Sequence, residues 1–123
     1  MTGILPRIAV VDDEKPVRTM LRRALRLADC EVDEFASGEE FLHSLAGHVP
    51  DVVVLDVHLS GISGFDVEAR LRAAQLRVPL IFITASDDAA LDRSASAAGA
   101  VCLLRKPFGM ESLLAAIRRA LET

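Results

Sequence analysis

The sequence is poor in aromatic residues: its 123 residues include no tryptophan, no tyrosine and only five phenylalanines. A nucleic-acid-binding surface usually combines a basic footprint with aromatic side chains on which bases stack. The basic footprint is missing as well, because 14 basic and 18 acidic residues give a net charge of -4. We therefore expect that this domain does not itself bind nucleic acid.

Long hydrophobic runs and cysteine motifs are also missing. No apolar run approaches the ~18 residues of a membrane span, and residues 1–7 contain no apolar core of a secretory signal. The two cysteines, Cys30 and Cys102, have neither metal-binding nor redox-motif spacing and are typical of packed thiols in a reducing compartment. These absences predict a cytoplasmic protein without membrane contact.

The rest of the composition is that of an ordinary globular domain. Apolar residues make up 51% and charged residues 26% of the chain, close to the average for soluble proteins. This length suits one domain whose core needs no disulfide or structural metal. We expect a single domain over residues 1–123, with no output domain after its last helix.

Short apolar runs rich in β-branched residues alternate with helical patterns along the chain. The continuous runs at 8–11, 52–55 and 80–83 are typical of parallel strands that are covered on both faces. Residues 31–35 alternate in polarity, which indicates an edge strand, and residues 100–104 are a fifth candidate.

Five helical segments separate or follow these strands. They are marked by an apolar stripe from Val17 to Ala28 with Pro16 at its start, capping-box spacing of Ser37 and Glu40, a cap at Ser63, an alanine-rich segment at 87–98 ending at Gly99, and a stripe from Met110 to Leu121. A β-α unit repeated five times predicts an α/β fold with right-handed crossovers.

Polar residues stand where four of the strands end. Asp12 and Asp13 follow the first strand, Asp56 the third, Thr84 the fourth and Lys106 the fifth. In open α/β sheets, ligands bind beyond the carboxyl ends of the strands, at the point where strand order switches. We therefore expect these side chains to share one site.

Three carboxylates brought together repel one another and need a cation. Oxygen ligands suit Mg²⁺, and no His/Cys cluster offers a site for a softer metal. An aspartate beside such an ion can attack phosphorus and form an aspartyl phosphate, while an ammonium and a hydroxyl neutralise and bind the phosphoryl oxygens. The chain has twelve arginines and only two lysines, so a lysine at position 106 indicates that a compact positive charge is required there. Pro107 directly after it predicts a cis peptide bond.

Six segments carry a resemblance to a known family. They are Val10-Val11-Asp12-Asp13-Glu14, Val53-Val54-Leu55-Asp56-Val57, Ser63-Gly64-Phe65, Ile83-Thr84-Ala85, Ala98-Gly99-Ala100 and Lys106-Pro107-Phe108. From Arg7 to the final helix, the chain resembles the receiver domain of two-component response regulators. Residues 35–42 most resemble receivers of the nitrogen-fixation regulator type. The resemblance implies a flavodoxin-like, doubly wound, five-stranded parallel sheet of order 2-1-3-4-5 with helices on both faces.

The resemblance also implies roles for the site residues. Asp56 is expected to be the phosphoacceptor, and Asp13 and Asp56 are expected to bind Mg²⁺ directly. Asp12 is expected to assist through a water molecule, and the backbone carbonyl of His58 to complete the protein ligands. Two further residues have roles on the phosphoryl group: Lys106 contacts its oxygens, and Thr84 moves towards them after phosphorylation.

The implied function is a phosphorylation-dependent signalling switch rather than an enzyme, with only phosphoryl uptake and autodephosphorylation of its own. The donor is expected to be a phosphohistidine on a sensor histidine kinase or a histidine phosphotransfer protein. The output is expected to pass by protein–protein contacts to a downstream target, from a monomer or a phosphorylation-dependent dimer.

Two positions depart from the family pattern. Ser60 stands where proline is common, and Leu103 stands where the aromatic partner of the switching threonine is usual. We hypothesise that switching therefore depends more on the helix at 87–98, whose small alanine contacts let it shift.

Other interpretations remain open from the residues. A row of arginines on the first helix, Arg18, Arg22 and Arg26, is either a solvated face or a docking surface for an acidic partner. The chain is alternatively a receiver cut from a longer DNA-binding response regulator, or a receiver-like scaffold that is never phosphorylated. An aspartate-nucleophile phosphohydrolase would need a second aspartate where His58 stands, and a flavin mononucleotide carrier would need hydroxyl residues in place of Asp12 and Asp13.

Overall fold

The structure, a computed structural model, describes residues 4–122. The predicted domain covers residues 1–123, of which residues 1–3 and 123 lie outside the described residues. The first three residues of the segment 1–7, for which we predict no secretory signal, are therefore not described either. Within residues 4–122, five strands alternate with five helices. In chain order they are β1 (Arg7–Val11), α1 (Lys15–Leu27), β2 (Glu31–Phe35), α2 (Gly38–Ser44), β3 (Val52–Asp56), α3 (Gly64–Ala73), β4 (Leu80–Thr84), α4 (Ala90–Ala97), β5 (Cys102–Arg105) and α5 (Met110–Leu121).

The strands form one parallel sheet in the order β2-β1-β3-β4-β5. This arrangement confirms the predicted doubly wound α/β fold together with its strand order. From β1 the chain proceeds to β2 on one side of the sheet and then crosses to β3 on the other. The switch point therefore lies between β1 and β3, where sheets of this kind bind their ligands.

Alternate residues of each strand supply two separate cores, one on each face of the sheet. In β1, Ile8 and Val10 pack on the face covered by α1 and α5, whereas Ala9 and Val11 pack on the face covered by α2, α3 and α4. Strand runs are continuously apolar because both faces are shielded from water. Each fully buried aliphatic side chain contributes about 1.5–3 kcal/mol to this packing.

Helix α4 begins later than the sequence predicts, at Ala90 instead of residue 87. The Ser86 Oγ accepts a hydrogen bond from the Asp88 N–H at 3.1 Å, and Asp88 Oδ1 accepts one from the Ala90 N–H at 2.9 Å. Short polar side chains thus offer these backbone groups partners that compete with the helix, and the segment before Ala90 forms turns.

Strand β5 also begins later than predicted, at Cys102 instead of residue 100, and ends at Arg105. The Ala100 N–H donates to the Ala95 carbonyl at 3.1 Å, which prolongs the end of α4. Gly99 has a φ of 77°, as expected of a glycine that ends a helix. Because residues 99 and 100 are used by this turn, β5 begins after it, at Cys102.

The N-caps predicted for α2 and α3 are present. Ser37 Oγ accepts a hydrogen bond from the Glu40 N–H at 3.1 Å. At α3 the pairing is reciprocal: Ser63 Oγ accepts from the Asp66 N–H at 3.1 Å, and Asp66 Oδ2 accepts from the Ser63 N–H at 2.9 Å. This capping box satisfies backbone donors at the start of α3 and holds the loop that follows β3.

Both cysteines are free thiols; Cys30 is buried and Cys102 is half-buried. Burial raises the pKa of each thiol above its ordinary value. Among residues 4–122, no helix has the length and apolar character needed to cross a bilayer.

Gly64, the first residue of α3, lies against the backbone at the end of β3. A Cβ atom at this position would overlap the carbonyl oxygen of Asp56 and lie 3.0 Å from Val57 Cα. The Gly64 N–H also donates to the Val57 carbonyl at 2.9 Å. Glycine is required here because the start of the helix touches backbone atoms that cannot rotate away.

We predict that Gly64→Ala lowers the free energy of unfolding by about 2 kcal/mol, because the added methyl group forces the α3 start away from β3. Urea unfolding followed by far-UV circular dichroism measures the loss. Gly109→Ala is a matched control: Gly109 is the N-cap of α5, with nothing within 4 Å of an added Cβ. The control should lose less than about 1 kcal/mol. Equal losses in the two variants would contradict the prediction.

Candidate functional site

The sheet brings three carboxylates together at its carboxyl edge. Because β1 and β3 are neighbours, Asp12 and Asp13 after β1 lie beside Asp56 at the end of β3. One ligand oxygen from each of the three aspartates lies within 4.8 Å of the others. Asp12 is fully buried and Asp56 is only 4% exposed, whereas Asp13 is exposed.

The ammonium group of Lys106 lies between the two buried carboxylates. Lys106 Nζ donates to Asp12 Oδ2 at 2.8 Å and to Asp56 Oδ2 at 2.9 Å, and it lies 3.3 Å from Glu14 Oε1. Lys106 directly follows the edge strand β5, and its long stem reaches across to the ends of β1 and β3. The peptide bond to Pro107 is cis, as predicted.

The electrostatics of this cluster are dominated by burial and by the shared ammonium. Burial raises the pKa of Asp12, against the hydrogen bond from Lys106 that lowers it. Burial also works to lower the pKa of Lys106, but the hydrogen bonds to Asp12 and Asp56 raise it well above its ordinary value. Lys106 therefore stays charged and holds the two carboxylates together despite their mutual repulsion.

Backbone N–H groups fix the orientation of the same carboxylates. Asp12 Oδ1 accepts from the Glu14 N–H at 2.8 Å, and Asp56 Oδ1 accepts from the His58 N–H at 2.9 Å. Each buried aspartate thus uses one oxygen for its own loop and the other for Lys106. Arg18 adds a bond from its guanidinium to the Asp12 carbonyl at 2.7 Å.

Asp13 is held differently, by a residue that follows the neighbouring strand. Its Oδ2 accepts from the Ser60 N–H at 3.2 Å and from the Ser60 hydroxyl at 2.9 Å. This contact joins the loop after β1 to the loop after β3.

The donor set of this cluster fits a hard divalent cation such as Mg²⁺. Asp12, Asp13 and Asp56 offer three carboxylate oxygens close enough to share one ion, and the single ammonium of Lys106 leaves them with an excess of negative charge. Mg²⁺ prefers oxygen ligands and keeps several waters, which an edge open at Asp13 permits. The His58 side chain is exposed, and the expected use of its carbonyl stays a prediction.

Thr84 ends β4 and is fully buried. Its Oγ1 accepts from the Ser86 N–H at 3.1 Å, and its carbonyl accepts from the Lys106 N–H at 2.7 Å. Thr84 is therefore tied by backbone to Lys106 and by side chain to the loop before α4. Its movement towards a phosphoryl group stays a prediction.

Arg105 is a residue that the sequence analysis did not single out. Its guanidinium binds both carboxylate oxygens of Asp92 at 3.1 Å, the Ser86 carbonyl at 3.1 Å and the Asp88 carbonyl at 2.8 Å. These four bonds hold the loop after β4 and the first turn of α4 onto β5. We call Arg105 and these partners the α4 clamp. A strand-end arginine beside an acidic loop was the only available signal.

The arginine row on α1 is largely used inside the molecule. Arg22 binds Glu34 of β2 at 2.6 Å, and Arg18 Nε lies 3.7 Å from the same carboxylate. Arg26 is exposed at the last turn of the helix. Arg18 and Arg22 therefore brace α1 against the sheet edge, and a docking role for the row stays a prediction.

A family model described as the response regulator receiver domain matches residues 8–118. Response regulator MprA of Mycobacterium sp. (strain KMS) is 39% identical over 115 residues, which cover 94% of this chain and 50% of that protein. Nodulation protein W of Bradyrhizobium diazoefficiens is 37% identical over 115 residues, covering 94% of this chain and 51% of that protein. The chain thus spans about half the length of these curated relatives.

Solved structures that are similar to this chain are also receiver domains. A response regulator receiver protein from Burkholderia phymatum has a TM-score of 0.86 and 42% identity, with 95% of each chain covered. The BeF3-activated receiver domain of DrrB has a TM-score of 0.87 and 32% identity, covering 98% of this chain and all of that one. The finer resemblance to nitrogen-fixation regulators stays a prediction.

We predict that Lys106→Met lowers the free energy of unfolding by about 3 kcal/mol near neutral pH in EDTA, because Asp12 and Asp56 lose their shared counter-ion. The gap between wild type and variant should shrink above pH 10.5. A lysine whose pKa is raised by folding contributes stability that is complete below its unfolded value of 10.5 and is lost as the pH rises through the folded value.

Urea unfolding at a series of alkaline pH values measures this gap. The raised thiol pKa values of Cys30 and Cys102 affect both proteins and cancel in the difference. Lys15→Met, which removes an exposed lysine at the start of α1, is the matched control and should give a small, constant gap. A Lys106→Met gap that stayed constant through this range would contradict the prediction.

Proposed function

This chain belongs to the response regulator receiver domain family, and we propose that it is switched by a phosphoryl group accepted on Asp56. The ammonium of Lys106, 2.9 Å from Asp56 Oδ2 and 2.8 Å from Asp12 Oδ2, is the observation that carries the proposal. The Asp56 carboxylate therefore has a positive charge beside it, and together with Asp12 and Asp13 it can bind a divalent cation. Both charges are needed where the anionic oxygens of a phosphoryl group arrive.

The proposed transfer places the new bond on a carboxylate oxygen of Asp56. That oxygen bonds to phosphorus as the phosphorus–nitrogen bond of a phosphohistidine breaks. The electron pair of the broken bond leaves with the imidazole, which takes up a proton from solvent. Mg²⁺, held by Asp13, Asp56 and the His58 carbonyl and by Asp12 through water, would supply charge neutralisation for the phosphoryl oxygens.

Lys106 and Thr84 have distinct proposed roles around the acceptor. Lys106 exchanges its bond to Asp56 Oδ2 for one to a phosphoryl oxygen and keeps its bond to Asp12. The Thr84 hydroxyl uses its oxygen to accept from the Ser86 N–H, which leaves the hydroxyl proton for donation to a phosphoryl oxygen. Donation would pull on the loop that leads to α4.

The proposed donor is a sensor histidine kinase or a histidine phosphotransfer protein, and the proposed output is a protein–protein contact. The relatives MprA and nodulation protein W are about twice as long as the matched region, so a linked output domain is the alternative to a separate target. The free thiols of Cys30 and Cys102 fit a reducing compartment such as the cytoplasm.

Phosphoryl uptake by Asp56 is directly measurable. Incubation with Mg²⁺ and a small-molecule phosphodonor should add one phosphoryl group to the wild type, detected by intact mass and lost on mild alkaline treatment. Asp56→Asn should abolish the adduct, because an amide oxygen is a poor nucleophile. Lys106→Ala should leave part of the labelling intact.

Asp29→Asn makes the same chemical change at an exposed residue after α1 and should label like the wild type. An adduct that persisted in Asp56→Asn would place the acceptor elsewhere. Steady hydrolysis of a phosphate ester by the wild type, without a stable adduct, would favour a phosphohydrolase instead.

We further propose that α4 and the loop before it form the surface that responds. Leu103 lacks the aromatic ring usual at its position, whereas the α4 clamp of Arg105 gives this region a polar attachment that can be released. The loop bonded to Thr84 through Ser86 is also bonded to Arg105 through the Ser86 carbonyl. A movement of the Thr84 side chain would therefore be transmitted through Ser86 to the bonds of Arg105.

We predict that Arg105→Lys raises hydrogen exchange at residues 86–92 by up to about fivefold, because lysine keeps the charge but loses the forked geometry of the clamp. Arg93→Lys, at an exposed neighbour of Asp92, is the control and should leave exchange unchanged.

Relaxation-dispersion NMR should show phosphoryl-dependent exchange in α4 of the wild type. A silent α4 would count against this output surface.

A further inference from the structure

Asp13 differs from the other two aspartates of the cluster in how it is held. Asp12 and Asp56 are buried, and each is oriented by an N–H two residues further along its own loop. Asp13 is exposed, and its hydrogen bonds come from Ser60 on the neighbouring loop. An exposed carboxylate without such a bond would sample several rotamers, and ordering it for a ligand would cost free energy.

We propose that Ser60 is a positioning residue for the divalent cation: it orients Asp13 as a metal ligand through two donors. The inference rests on the proposed function, in which that cation serves phosphoryl transfer. It goes further, because it assigns cation affinity to a residue that is not itself a ligand.

The geometry of the contact leaves Asp13 able to bind metal. The Ser60 N–H and hydroxyl both donate to Oδ2, at 3.2 and 2.9 Å, and no residue in the range 4–122 donates to Oδ1. With these bonds made, an Asp13 oxygen still lies within 4.8 Å of ligand oxygens of Asp12 and Asp56. Ser60 therefore holds Asp13 inside the cluster and does not withdraw it.

Hydrogen-bonded neighbours of metal ligands commonly control affinity. Removal of such a partner typically weakens metal binding about 10–100-fold. Because the Ser60 contact is exposed to solvent and one of its donors is a backbone group, we expect the lower end of this range.

The two donors of Ser60 allow a graded set of variants. Ser60→Thr keeps both the N–H and a hydroxyl, Ser60→Ala keeps only the N–H, and Ser60→Pro keeps neither. Ser96→Ala is the matched control, because Ser96 is exposed near the end of α4, at the opposite edge of the sheet from the cluster.

Cation affinity is measured with Mn²⁺ as the probe, from the electron paramagnetic resonance signal of the free ion, and with Mg²⁺ as competitor. The expected order of affinity is wild type and Ser60→Thr first, then Ser60→Ala about tenfold weaker, then Ser60→Pro. Ser96→Ala should match the wild type. Far-UV circular dichroism and urea midpoints check that the alanine and threonine variants are folded, and the conclusion depends on those two if the proline variant is not.

A double-mutant cycle with Asp13→Ala, which removes the acceptor of both Ser60 hydrogen bonds, separates positioning from a general effect on the loop. If Ser60 acts through the Asp13 carboxylate, Ser60→Ala should weaken Mn²⁺ binding in the wild type but have no further effect in Asp13→Ala. Equal losses in both backgrounds would overturn the proposal, and so would unchanged or tighter binding by Ser60→Ala.

The same proteins distinguish failure of this inference from failure of the proposed function. A wild type that binds Mg²⁺ and takes up a phosphoryl group, beside a Ser60→Ala variant of equal affinity, overturns only the role of Ser60. A wild type that neither binds the cation nor takes up a phosphoryl group overturns the proposed function, and the role of Ser60 falls with it.

Discussion

The site depends on one electrostatic constraint, the placement of the Lys106 ammonium between the buried carboxylates of Asp12 and Asp56. Two anions in a site shielded from water repel each other and lose hydration, and burial raises the pKa of Asp12. The ammonium removes both problems with one charge, and it can only do so because β1 and β3 are neighbours and β5 ends at the same edge. The order of the strands is therefore what brings these three charged groups into contact.

Much of this arrangement could be predicted from the sequence because it follows from periodicity and position. Continuous apolar runs indicated strands with two dry faces, and the residues directly after those runs had to lie at one edge of a parallel sheet. Asp12, Asp56 and Lys106 are found together there. The first residues of α4 and β5 could not be predicted, because they depend on competing bonds of Ser86, Asp88 and Ala100 that periodicity does not encode.

Contacts between loops were the part of the site that the sequence did not reveal. Ser60 was noticed only as a departure from a family pattern, and Arg105 was passed over beside Lys106, yet each makes bonds to a segment distant in the chain. Bonds of this kind require the relative placement of two loops, which no local pattern specifies. The arginine row on α1 shows the converse, since Glu34 of the adjacent strand accounts for two of its members.

The loop that carries Ser60 is closed at its base. Val57 donates to the carbonyl of Ile83 and accepts from the N–H of Gly64, each at 2.9 Å, so the strand end and the helix start are locked together beneath residues 58–63. Under the proposed role of Ser60, substitutions at the tip of this loop would change cation affinity while the cores on both faces of the sheet stay intact. If Ser60 has the proposed role, natural variation in this loop would change cation affinity in small increments, without the fold having to be rebuilt each time.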